Sequence, residues 1–175
     1  MKTKLTKTAA QLEQVAIPDF FSSSLGIRLT APEVVREIVG FMNFRPGEHY
    51  KVTIGTDSEI GSDKNADFVT AIVVHRIGNG GRYFWRRFEL GNFHTLRDRM
   101  IREALISLDV AKEVLIELKK SELPEFEFEI HADIGVNGPT KVLIQEIVGM
   151  IRANNFEVKT KPESYAASNV ADRHV

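Results

Sequence analysis

Hydrophobic positions change their period several times along the chain, and each change predicts an element. From Thr30 onward Val34, Val35, Ile38, Val39 and Met42 recur at helical spacing. Thr30 is a good N-cap, Pro32 suits the first turn and Glu33 adds negative charge there, so a helix begins near Thr30. Pro46 and Gly47 end it. Lys51 to Asp57 then reads as a strand. Asp67 to Arg76, with VTAIVV at its centre, is almost continuously apolar and reads as a strand buried on both faces. The GNGG run from Gly78 to Gly81 is a strong hairpin turn into a third strand, Arg82 to Leu90. Its sequence RYFWRRFEL mixes aromatics with arginines, which suits a sheet edge.

Leu96 to Lys120 reads as one long helix, with Ile101, Leu105, Leu108, Leu115 and Leu118 on its core face and Pro124 as its stop. In the next strand, Glu125 to Asp133, Phe126, Phe128, Ile130 and Ala132 point one way. Glu127, Glu129, His131 and Asp133 point the other. A shorter helix follows Pro139, a fifth strand spans Phe156 to Lys159, and SNVADRH near the C-terminus has room for a helical turn or two. Residues 1–24, with scattered lysines, Pro18 and the SSS run from Ser22, read as an N-terminal arm, expected to be flexible. Residues 25–175 read as a single α/β domain. Strands one to three pair as antiparallel hairpins. Strand four returns parallel beside strand one through the long helix, as a right-handed crossover. The expectation is a mixed five-stranded sheet, order 3-2-1-4-5, flanked by helices.

That order changes the weight of two short motifs, GTDSE at Gly55–Glu59 and HADIG at His131–Gly135. Each aspartate, Asp57 or Asp133, reads equally well on its own as a turn residue after a strand. Together they stand at the carboxyl ends of adjacent parallel strands, where open α/β sheets bind ligands. Two carboxylates so placed can hold a hard divalent cation, which takes oxygen ligands. Glu103 flanks the apolar stripe of the long helix. It reads either as a solvated partner of Arg99 or as a third acid reaching the strand ends.

Composition narrows the classes. The chain has 175 residues, enough for one domain with a sizeable core, and a formal net charge of -1, so any nucleic-acid contact must come from a local basic stripe. With no cysteine, disulfides, zinc-thiolate sites and thiol nucleophiles are excluded, and a reducing cytoplasm is the expected location. No run approaches the roughly 20 apolar residues of a membrane span, and the N-terminus lacks the apolar stretch of a secretory signal. No P-loop, GxSxG elbow or HExxH motif is present.

Other residues offer chemistry with an equally plain structural alternative. Asp172 is a late acid able to complete a metal site, and His174 beside it is able to shuttle a proton; a solvated tail explains both as well. Arg86, Arg87, Arg97, Arg99 and Arg102, with Lys141 and Lys161, can track a phosphate backbone or simply be solvated. Arg173 can bind a phosphate or neutralise the acids. His94 and His131 are metal-ligand types that more often pack or face solvent.

The strand order and the order of acids resemble the ribonuclease H fold. More locally, IGTDSE, Arg102–Glu103, HADIG followed by Thr140 and Lys141, Lys161–Pro162, and the closing Ala167, Ser168, Ala171 and Arg173 resemble the YkuK-type family of bacterial ribonuclease H-like proteins. The resemblance spans about Tyr50 to Arg173. It implies that Asp57, Glu103 and Asp133 bind two divalent metals, Mg²⁺ or Mn²⁺, with Asp57 bridging. A fourth acid in that fold comes from a late helix, here Asp172, whose identity as a ligand the resemblance does not itself carry. The implied function is a metal-dependent nuclease with a nucleic-acid partner, in which Arg99, Arg102, Lys141, Lys161 and Arg173 contact phosphates. A non-catalytic nucleic-acid or protein-binding module on the same fold is the alternative. No residue is marked as a reader of the 2′-hydroxyl, so RNA, DNA and hybrid substrates stay open.

Overall fold

The computed structural model describes residues 17–174, apart from the side chains of Ser62, Ala167, Ala171, Asp172 and His174. Strands β1 (Phe20–Ser23) and β2 (Arg28–Thr30) form a hairpin whose turn passes through Gly26 at φ 76°. Helix α1 (Ala31–Asn43) starts where expected. The Thr30 N–H donates to the Glu33 carboxylate at 2.8 Å, Pro32 occupies the first turn, and Val34, Val35, Ile38 and Met42 are buried. Strands β3 (Tyr50–Ile60), β4 (Ala66–Arg76) and β5 (Gly81–Leu90) form the antiparallel hairpins. The β4–β5 turn needs its glycines: Gly78 and Gly80 have φ of 84° and 78°, and a Cβ on Gly81 would meet the Val74 carbonyl oxygen at 2.6 Å.

Helix α2 (Leu96–Leu118) is capped by Thr95, whose Oγ1 accepts from the Asp98 N–H at 3.0 Å. It carries the chain across the sheet to β6 (Phe126–Ala132), which pairs parallel with β3 in the register Ile54 to Ile130. A 3₁₀ turn (Lys141–Leu143), α3 (Ile144–Ala153) and the short parallel strand β7 (Glu157–Lys159) follow, and α4 (Ala166–His174) closes the chain against β3 and β4.

The sheet order is β2-β1-β5-β4-β3-β6-β7. The five expected strands appear in the expected order, with two corrections. Among the described residues there are seven strands, because residues inside the expected arm form β1 and the segment just before α1 forms β2. And β5 is not an edge: β1 pairs along it at Ser22 to Trp85 and Ser23 to Phe84. The physical reason lies in the arginines read as edge protection. Arg86 lies 4.7 Å from the Phe21 ring centre and donates to the Pro18 carbonyl at 3.0 Å, so it fastens β1. The rest of the expected arm, residues 1–16, lies outside the described residues.

A third correction concerns α2. Leu105 is 40% exposed, whereas Glu103 is 4% exposed. The buried face runs through Met100, Ala104, Leu108, Ala111, Val114 and Leu118, because sheet, α1 and α3 all pack on this helix and widen its covered arc. None of the helices among the described residues is long and apolar enough to cross a membrane.

Candidate functional site

The last paired residues of the parallel β3–β6 ladder are Thr56 and Ala132. Asp57 and Asp133 come next, where the parallel pairing stops, each partly buried. Asp133 follows the end of β6, but β3 runs on past the expected end at Asp57 to Ile60, because Asp57 and the residues after it stay paired with β4. Beneath them a buried hydroxyl chain ties sheet to helix: Ser107 Oγ donates to Thr56 Oγ1 at 2.9 Å, and Thr56 and Thr70 share a bond at 3.1 Å. That chain sets α2 against β3 and brings Glu103, one turn before Ser107, to the same end of the sheet.

Ser58 organises the rest. Its N–H donates to Asp57 Oδ1 at 2.9 Å and its hydroxyl donates to Glu103 Oε1 at 2.5 Å. Arg99 donates to Ser58 Oγ at 2.9 Å and also to the Ser58 carbonyl, and its Nη1 is 3.8 Å from Glu103 Oε1. On the other side Lys161 Nζ lies 3.1 Å from Asp133 Oδ1. That contact is an ion pair whose geometry falls short of a hydrogen bond, so the buried Oδ1 accepts none. Lys161 is held by its own backbone, which donates to the Ile134 carbonyl at 2.7 Å, and it packs against Gly135, where a Cβ would approach to 3.1 Å.

The acids feel one another. Burial pushes the Asp57 carboxyl above its ordinary range and the Asp133 charge pushes it further, against the Ser58 N–H, Lys161 and Arg99. Burial raises Glu103 well above its ordinary range; the charges of Asp57 and Asp133 add to this, and the Ser58 hydroxyl and Arg99 oppose it. Even so, among the described residues no three Asp, Glu or His side chains stand close enough to hold one ion as they lie. Glu103 is turned to Ser58 and Arg99, and Asp133 to Lys161. The three share a field without sharing a coordination sphere. The donor set nevertheless fits a hard divalent cation: it is all oxygen, it is mutually repelling, and it includes a buried Asp133 oxygen that accepts no hydrogen bond.

The remaining predicted residues are dispersed. Arg102 is exposed on α2 and Lys141 on the 3₁₀ turn. Arg97 pairs with Glu146 of α3, and Arg87 with Asp67. Arg173 lies 5.8 Å from the ring centre of Tyr83, whose row in the sheet passes through Val73 and Thr53, four residues before Asp57. Helix α4 contains Asp172 and His174, but their side chains lie outside the described residues. His94 is exposed, with Nδ1 3.4 Å from Lys64 Nζ. His131, on the face read as polar, is 3% exposed. Its Nε2 meets Glu129 Oε1 at 2.8 Å and its Nδ1 accepts from the N–H groups of Tyr165 and Ala166. Two residues that sequence reasoning did not select matter here: Ser58, signalled only by its place inside GTDSE, and Thr56, whose hydroxyl looks like an ordinary strand residue.

A family model described as ribonuclease H-like matches residues 33–175. The protein YkuK of Bacillus subtilis (strain 168) is 32% identical over 157 residues, covering 83% of this chain and 91% of its own length. No solved structure matches the chain significantly.

Proposed function

Since the chain belongs to the ribonuclease H-like family, we propose that it is a divalent-metal-dependent nuclease that hydrolyses phosphodiester bonds at the crevice of Asp57, Glu103 and Asp133. The observation that supports this best is the register of two carboxylates just past the parallel β3–β6 pairing, beside a third whose pKa is raised first by burial and then by the charges of both. Such a mutually repelling set costs stability by itself and is characteristic of functional sites.

Asp57, Glu103 and Asp133 would hold Mg²⁺ or Mn²⁺, with two ions expected, and the metal would supply positive charge to activate water and to stabilise the leaving 3′ oxygen. The chain's own residues do the rest. Ser58 and Arg99 orient Glu103. Lys161, 55% exposed, neutralises Asp133 and would be available to a phosphate oxygen if a cation took its place. Arg102 and Lys141 are exposed cations for the flanking backbone. Asp172 is proposed as a fourth acid and His174 as a proton carrier. Asp172→Ala should weaken Mn²⁺ binding in calorimetry while leaving the melting temperature in EDTA unchanged, and unaltered affinity would remove Asp172 from the site.

A second reading has one observation in its favour. No three-group metal set is assembled among the described residues, as expected for a module that binds nucleic acid or protein without cutting. Labelled single-stranded, duplex and hybrid substrates, incubated with Mg²⁺ and Mn²⁺ beside an Asp57→Asn control, separate the two. Metal-dependent products lost in the control support the nuclease; metal-independent binding with intact substrate supports the module.

A further inference from the structure

We propose that His131 is a positioning residue that seats helix α4 beside the strand-end acids, acting as its neutral Nε2–H tautomer. The first N–H groups of a helix have no partner within it and are ordinarily satisfied by a nearby Ser, Thr, Asp or Asn. The local candidate before α4 is Ser164, yet its buried Oγ makes no hydrogen bond. A residue 34 positions upstream does the work instead: His131 Nδ1 accepts from Tyr165 N–H at 3.0 Å and from Ala166 N–H at 3.2 Å. Two donors aimed at one ring nitrogen require its lone pair there, so the ring proton sits on Nε2, 2.8 Å from Glu129 Oε1.

The acceptor is held in turn. Glu129 is 5% exposed, and Lys51 Nζ lies 3.5 Å from it and 3.1 Å from Glu127. Tyr165 packs edge-on to the imidazole, with ring centres 4.6 Å apart. The chain of contacts Lys51, Glu129, His131, α4 therefore runs from the central strands to the start of the last helix. Because Asp133 is two residues beyond His131 on the same chain segment, one side chain couples the helix to the strand end that carries an acid. Tyr165 and Ser168 line the same small crevice as Thr56 and Asp133, and Ala166 and Val170 are buried against the sheet. The seat exists whatever the protein does; that it serves cleavage rests on the function proposed above.

The test uses the full chain in EDTA. Nitrogen-15 spectra of the parent should show His131 with unprotonated Nδ1 and protonated Nε2; the opposite tautomer overturns the proposal. His131→Phe keeps the ring and its contact with Tyr165 but removes both hydrogen bonds. Its α4 amides should exchange faster by about tenfold or more, while those of β3 and β6 change by less than about threefold. His131→Asn keeps an acceptor near the position of Nδ1 and should restore α4 protection to within about threefold of the parent. Unchanged α4 exchange in His131→Phe, equal loss across helix and sheet, or an Asn variant no better than Phe each overturn the proposal. If His131→Phe does not fold, the parent spectrum and the Asn variant decide alone. None of these readouts needs catalysis, so a parent that cleaves nothing sinks the nuclease and leaves the seat standing.

Discussion

Replacing Glu103 by Gln probes the electrostatics of the site without any substrate. The side chain is almost fully buried, and burial together with Asp57 and Asp133 holds its proton well above the ordinary range. Against this stands Arg99, 3.8 Å away; at an effective dielectric of about 20 that attraction is roughly 4 kcal/mol. The net direction is upward all the same, so burial and two like charges outweigh it. Gln has the same length, and its oxygen can still accept from Ser58 Oγ, so the substitution removes charge and little else. Exchanges that relieve an active-site charge commonly return about 0.5–2 kcal/mol. We expect about 1 kcal/mol near neutral pH, or a rise in Tm of about 2–4 °C for a domain of this size. The sign with pH follows from linkage. A carboxyl whose folded pKa is raised contributes fully below its unfolded value, about 4.3, and loses that contribution as pH rises through the folded value. The mutant's advantage should be absent below about pH 4 and grow toward neutrality. Thermal unfolding followed by circular dichroism in EDTA, across pH and then with added Mn²⁺, measures this; Mn²⁺ should restore the parent more than the mutant. A mutant less stable than the parent at neutral pH would refute the reasoning and make Glu103 a structural partner of Arg99 and Ser58.

Asp57→Asn should abolish metal-dependent cleavage and the Mn²⁺-induced rise in Tm while the circular dichroism spectrum is preserved; full activity would place any cleavage elsewhere. Lys161→Ala removes a half-exposed ion pair worth at most about 1 kcal/mol, so Tm should barely move. The same change should tighten Mn²⁺ binding, because Asp133 loses a competing cation, and weaker binding in calorimetry would contradict the competition. In nucleic-acid titrations its salt slope should fall by about one. Phe21→Ala should cost about 3–5 kcal/mol in denaturant unfolding, since Phe21 is buried and supports the Arg86 contact; a loss below about 1 kcal/mol would mean that β1 is a loosely attached appendage.

Elements with a long, one-sided pattern were legible in the sequence. The stripe of α1, the continuous apolar run of β4 and the glycine turn before β5 each state their structure locally, and the crossover rule then sets β3 beside β6. That is enough to bring Asp57 and Asp133 together. What stayed hidden depends on which surface happens to be covered. Strands β1 and β2 are too short to show a period, and β1 meets β5 over two residue pairs only, so nothing local separates them from a loop. In α2 the apolar stripe did not reveal that Glu103 is enclosed and Leu105 is not, because packing by the sheet and two helices sets the buried arc. Ser58 gained its role from an arginine and a glutamate more than forty residues away. His131 looked like a residue on a polar strand face until α4 was laid over it. Periodicity reports the environment of a segment along its own axis; the partner of a buried polar group is chosen across the chain, and only the tertiary structure makes that choice.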